Sequence, residues 1–169
     1  MAEYIFDDTL EAEQYNTLLL LDNQCSTQFK DLHIDLHILG GTALLFHGIE
    51  SVVTIDIDVA NQLNTSVKEV LEPFVSDAAS EVATLASGYR ERLVPYKPDD
   101  FRCLRIYLLS LEDLVISKLG AFRFKDKEDL IKTSVLDSCD LRKCMDIITA
   151  EFPVEVASTL LRRLTELMC

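Results

Sequence analysis

Residues 52–60, Val-Val-Thr-Ile-Asp-Ile-Asp-Val-Ala, constrain the chain more than any other stretch. β-Branched residues favour a pleated strand and are dense here, yet aspartate, a poor strand former, recurs at Asp56 and Asp58. In a strand, positions i and i+2 share a face and lie about 6.6 Å apart along the backbone. The two carboxylates therefore project together, with Ile55, Ile57 and Val59 on the other face. At about 6 Å and an effective dielectric near 20 they repel by roughly 3 kcal/mol. A divalent metal held by oxygen ligands relieves that repulsion, and Mg²⁺ (or Mn²⁺) suits one or two carboxylates plus substrate phosphates. The competing reading is an exposed strand whose outer face is merely polar.

The upstream context favours the metal. Residues 33–39 alternate imperfectly and read as a short strand, which Gly40-Gly41 breaks. Residues 42–48 then read as a short helix closed by Gly48. Paired glycines let backbone N–H groups approach an anion, and a helix N-terminus carries partial positive charge. Thr42 is placed to cap that helix or touch a phosphate. A phosphate cradle of Gly40, Gly41 and Thr42 beside paired carboxylates is what metal-assisted phosphoryl chemistry requires.

Elsewhere the pattern is mixed. Residues 8–30 read as a helix with acidic first turns and Leu10, Leu18, Leu21, Cys25 and Phe29 near one face. Asn64-Thr65-Ser66 with Glu69 opens a second helix, expected to end near residues 74–78. Residues 81–86 and 101–109 read as strands, with a charged hairpin at 89–95 and a turn at Pro98-Asp99-Asp100 between them. Ser110 caps a helix to about residue 122, and helices follow at 125–133, 138–151 and 153–168. The fold class is therefore α+β with a helical C-terminal half. It reads as one compact domain: residues 1–110 form a core with its N-terminal helix, and 111–169 a helical portion packed on it.

Charge and cysteines narrow the function. The net charge of −13 disfavours non-specific binding to duplex nucleic acid. Arg90, Arg92, Lys97, Arg102 and Arg105 form a local cationic cluster, either a solvated hairpin or a phosphate-facing one. The five cysteines are scattered without a CxxC pair, which predicts reduced thiols and no zinc site. Glu3, Asp7 and Asp8 occupy the place of a basic signal-peptide region, and no apolar run is long enough for a membrane span. A soluble, cytoplasmic protein is expected. His33 and His37 would share a strand face, and no nucleophile–base spacing stands out.

Gly40-Gly41-Thr42-Ala43, His47-Gly48 and Thr54-Ile55-Asp56-Ile57-Asp58 together resemble the first motif of the nucleotidyltransferase superfamily. The likeness is nearest to its minimal AbiEii-type branch of abortive-infection and toxin–antitoxin proteins. Residues 110–130, with Ser117-Lys118-Leu119 and Arg123-Phe124-Lys125-Asp126, resemble a second segment of that branch, and Tyr89-Arg90-Glu91-Arg92-Leu93 a hairpin common in it. The resemblance implies a mixed sheet flanked by helices that binds a nucleoside triphosphate with Mg²⁺. It implies metal ligation by Asp56 and Asp58, with catalytic roles for Lys118 and Asp126 as well. Nucleotide contacts would come from Gly40, Gly41, Thr42, Thr54, Lys118 and Arg123. The acceptor would be a hydroxyl on RNA or protein, and an antitoxin a partner.

The chain departs from that pattern. Val52 stands where members of the resembled branch usually carry arginine, and neither 81–86 nor 101–109 offers a third aspartate. Three readings follow: an active transferase, a catalytically degenerate binding module of the same fold, and an unrelated α+β interaction protein. Val156, Leu160, Leu161 and Leu164 offer the C-terminal helix a face for a homodimer.

Overall fold

The computed structural model describes residues 9–169. Glu3, Asp7, Asp8 and the first position of the expected N-terminal helix lie outside the described residues. Helix α1 (Leu10–Gln28) starts where the Thr9 side chain accepts a hydrogen bond from the Ala12 N–H. Strand β1 (Ile34–Leu39) follows, then α2 (Gly40–Phe46), β2 (Ile57–Val59), α3 (Thr65–Leu71), β3 (Val75–Ser76) and the short α4 (Ala79–Val82). A 3₁₀ turn at Tyr89–Arg92 leads to β4 (Val94–Pro95) and β5 (Leu104–Leu108). The rest is helical: α5 (Leu111–Ala121), α6 (Phe124–Lys132), α7 (Val135–Ser138), α8 (Leu141–Glu151) and α9 (Val154–Met168). The α+β class and the helical C-terminal half are as the sequence implies.

The described residues form a mixed five-stranded sheet in the order β3-β2-β1-β5-β4. Central β1 runs parallel to β5 and antiparallel to β2, and it is covered on both faces, which is why its alternation is imperfect. His37 is therefore buried between Tyr89 and Tyr107, with Nδ1 3.1 Å from the Tyr89 hydroxyl. Burial, then Arg90, lowers its pKa. His33 precedes the strand and is exposed, so the two histidines share no face.

The expected strand at 52–60 is corrected to a ladder of only Ile57–Val59. The register explains this. Leu39 pairs with Asp58, and at the next residue, Gly40, the partner chain turns into α2, leaving 52–56 with no neighbouring strand. Side chains take over the hydrogen bonding. Thr42 Oγ1 donates to the Asp56 carbonyl at 2.9 Å, Thr54 Oγ1 to the same carbonyl at 3.4 Å, and Gln14 Nε2 to the Ile55 carbonyl at 3.1 Å. Backbone groups that lose a ladder must find such partners.

Two more expectations change. Residues 81–86 hold the end of α4 and an extended stretch rather than a strand, because Ala78-Ala79-Ser80-Glu81 is a better helix than strand sequence. Helix α3 stops at Leu71, since Pro73 drives Glu72 out of helical geometry, and Val75–Ser76 joins β2 as an edge strand.

Helix α5 is the hub, touching α2, α6, α7, α8 and α9, and Ser110 caps it by accepting from the Asp113 N–H. Its far end is held by Arg163 of α9, whose Nη1 donates to the Leu119 and Gly120 carbonyls. The cationic cluster is dispersed by pairing. Arg92 forms two bonds to Asp113 and an ion pair with Glu151, Arg105 meets Asp35, and Lys97 lies over the Tyr15 ring. Of the α9 face expected for a dimer, Leu160 and Leu164 are buried in the core, Leu161 is half-buried and Val156 is exposed. All five cysteines are free thiols. Among the described residues, no helix is long and apolar enough to cross a membrane.

Candidate functional site

A cleft of about 490 Å³ opens where the β1–α2 turn, the 54–58 segment, α4, α5 and α6 converge. Its position follows from the sheet register. Because Asp58 sits opposite Leu39, its carboxylate lies against the turn that follows: a Cβ on Gly40 would stand 3.8 Å from Asp58 Oδ2. Gly40 has φ +68°, a left-handed conformation glycine adopts without strain.

Gly41 is required for a different reason. A Cβ there would meet Thr54 Cβ at 2.6 Å, so α2 and the aspartate segment touch backbone to side chain. Gly41→Ala is expected to cost about 2 kcal/mol through overpacking and to displace the Asp56 backbone. Thermal unfolding should show a Tm drop of about 5 °C. Thr54→Ala should not rescue it, since the obstructing atom is the Cβ itself.

Thr42 does not line the cleft. It is 0% exposed and its hydroxyl is committed to Asp56, so the expected cap or phosphate contact gives way to a role in fixing the aspartate segment. Thr54 does line the cleft, with Asp56 exposed and Asp58 half-buried beside it. Among the described residues, neither Asp56 nor Asp58 has a side-chain hydrogen-bond or ion-pair partner. Burial, then the Asp56 charge, raises the Asp58 pKa, while Lys125 and Arg123 pull it the other way.

The second half of the site comes from α5 and α6. Lys118 is 6% exposed, and its Nζ lies 2.6 Å from Asp129 Oδ2 and 3.8 Å from Asp126 Oδ1. Asp126 accepts from the Arg123 N–H at 3.0 Å and from Arg123 Nε at 2.8 Å, closing the first turn of α6. That ion pair raises the Arg123 pKa. Two carboxylates thus reach the cleft from a helix, where the sequence offered none on the later strands. Asp129 was missed as a site residue: i, i+3 acids near a helix start look like ordinary dipole partners.

Four carboxylates and three cations (Lys118, Arg123 and Lys125) line one cleft, with the acids divided by their partners. Asp126 and Asp129 are engaged, whereas Asp56 and Asp58 are open. The family match falls on this arrangement. The chain belongs to a nucleotidyltransferase family. Its profile, described as nucleotidyltransferase of unknown function (DUF6036), matches residues 16–167 and so runs from within α1 nearly to the end of α9. No curated protein and no solved structure matches the chain.

Membership makes the open pair Asp56–Asp58 the place to test for a metal. Among the described residues, no three His, Cys, Asp or Glu side chains stand together as a closed metal cage. Two unpartnered carboxylates with vacant space beside them suit a hard cation that completes its shell with water and phosphate oxygens. The residues present fit such an ion.

Proposed function

We propose that this nucleotidyltransferase-family protein is a Mg²⁺- or Mn²⁺-dependent enzyme of AbiEii type, transferring a nucleotidyl group from an NTP to a hydroxyl on RNA or protein. The observation that carries the reading is the open Asp56–Asp58 pair sharing a cleft with Gly40, Gly41 and the buried Lys118. When bound, the metal supplies charge neutralisation for the phosphates. Asp56 and Asp58 hold it, and the Gly40–Gly41 turn lets phosphate approach the backbone. Lys118 and Arg123 balance the triphosphate charge, and Asp126 fixes Arg123. In-line transfer asks the protein mainly for positioning and electrostatics. A toxin role beside an antitoxin, a cytoplasmic location and a homodimer remain parts of this proposal.

Titration of Mg²⁺ plus a non-hydrolysable NTP, into wild type and into Asp56→Ala/Asp58→Ala, tests it. Metal-dependent binding lost in the variant supports the reading, and no binding by wild type sinks it. A second reading, a binding module without turnover, is favoured by the pairing of Lys118 with Asp129 and by the buried Val52, at the position where the AbiEii-type resemblance implies an arginine. Binding without transfer of label from an α-labelled NTP to any RNA or protein of the source cell would select it.

A further inference from the structure

The part of the cleft beyond the charged groups has a composition of its own. Leu114, Ser117 and Ala121 share with Lys118 the cleft-facing stripe of α5, at helical spacing i, i+3, i+4, i+7. That stripe runs about 10 Å, the length of a nucleoside. Helix α4 and its flank add Ala79, Val82 and Ala83 to the same lining. The packing that sets α5 here is tight: a Cβ on Gly120 would lie 2.2 Å from Thr84 Cβ, just past α4. Val82 is 81% exposed although it belongs to the cleft wall, an apolar side chain left for something to cover.

We infer that this α4–α5 wall is a nucleoside subsite that grips base and sugar by aliphatic contact and discriminates little between bases. The inference rests on the reading of the cleft as an NTP site. Among the described residues, the neutral polar side chains in the lining are Thr54 and Ser117, and the Thr54 hydroxyl already serves the Asp56 carbonyl. Ser117 therefore offers one free hydroxyl to a nucleoside. Apolar pockets separate similar ligands weakly, whereas strong discrimination needs hydrogen bonds that a wrong ligand leaves unmade. The specificity of this site falls on the triphosphate.

The test compares inorganic tripolyphosphate with non-hydrolysable analogues of ATP, GTP, CTP and UTP, each with Mg²⁺, by calorimetry. In wild type, all four analogues should bind about tenfold more tightly than tripolyphosphate and within about threefold of one another. Ala83→Phe should bring the analogues down to the tripolyphosphate level and leave tripolyphosphate unchanged. Because Ala83 touches the core, Val82→Trp is the companion variant: its exposed site carries no folding risk, and the indole should tighten all four analogues severalfold by stacking. A preference above tenfold for one base would overturn the inference while leaving the NTP reading intact. So would equal weakening of tripolyphosphate by Ala83→Phe, or analogue affinities unmoved by Val82→Trp. If wild type binds neither tripolyphosphate nor any analogue, the NTP reading falls and this inference with it.

Discussion

In metal-free protein, Asp58→Asn is expected to raise the melting temperature, and the same substitution is expected to remove the proposed metal-dependent nucleotide binding. The two effects have one cause. Asp58 is a half-buried carboxylate with no donor among the described residues and with Asp56 two positions away on the chain. Asparagine keeps the shape and removes the charge. The bare repulsion between the two groups is roughly 3 kcal/mol at about 6 Å and an effective dielectric of 20. Because Asp56 is exposed, screening leaves about 1 kcal/mol, or a Tm gain of about 2–4 °C for a chain of this size. Binding should fall by more than about a hundredfold, since even outer-sphere partners of a metal cost 10–100-fold.

The pH dependence fixes the interpretation. The folded pKa of Asp58 is raised above its unfolded value, by burial first and by Asp56 second. At pH above the folded value, the native state carries a charge it holds poorly, so the penalty is complete there. As pH falls through the folded pKa toward the unfolded value, the native carboxyl protonates and the penalty disappears. The stability advantage of Asp58→Asn is therefore greatest near neutral pH and vanishes on acidification. Melting curves in EDTA from pH 7.5 down to pH 4 measure it. An advantage constant across that range, or a loss of stability at pH 7.5, would mean that Asp58 has a structural partner and is not an open ligand.

The sequence made part of this site legible because some signals are local. A glycine pair between strand and helix, and aspartates two apart in a β-branched run, are short-range patterns with a direct mechanical meaning. Ser110 likewise announced a real cap, and the Asn64-Thr65-Ser66 run does open a helix, though through Asn64 accepting from the Val67 N–H rather than through a Ser66–Glu69 box. What sequence could not supply was the extent of pairing. Thr54, Ile55 and Asp56 look like strand, but their ladder partner is withdrawn when Gly40 turns the chain into α2, a fact about register. The fate of the arginines around the hairpin is tertiary in the same sense: Arg92 is claimed by Asp113 and Glu151, far along the chain. Asp129 was hidden because the meeting of α6 with Lys118 depends on the angle between two helices, set by Phe122 in left-handed geometry at the end of α5.

That meeting yields the largest expected loss of stability. Lys118→Met should destabilise the protein by about 3 kcal/mol, lowering Tm by about 10 °C, because it strands buried carboxylates rather than merely deleting one contact. Asp129 is 8% exposed and Asp126 5%, and only Asp126 keeps a second cation, Arg123. The double variant Lys118→Met/Asp129→Leu should regain most of the loss, since an apolar pair of similar volume is commonly as stable as a buried ion pair. A double-mutant cycle by denaturant unfolding gives the coupling directly. Stability alone therefore does not explain why a lysine stands at this position. If its ammonium serves triphosphate, the double variant will be folded and stable yet bind Mg²⁺–NTP at least about tenfold more weakly than wild type. If it binds as wild type does, Lys118 is a structural counter-ion to Asp129, and charge balance for the phosphates falls to Arg123 and Lys125.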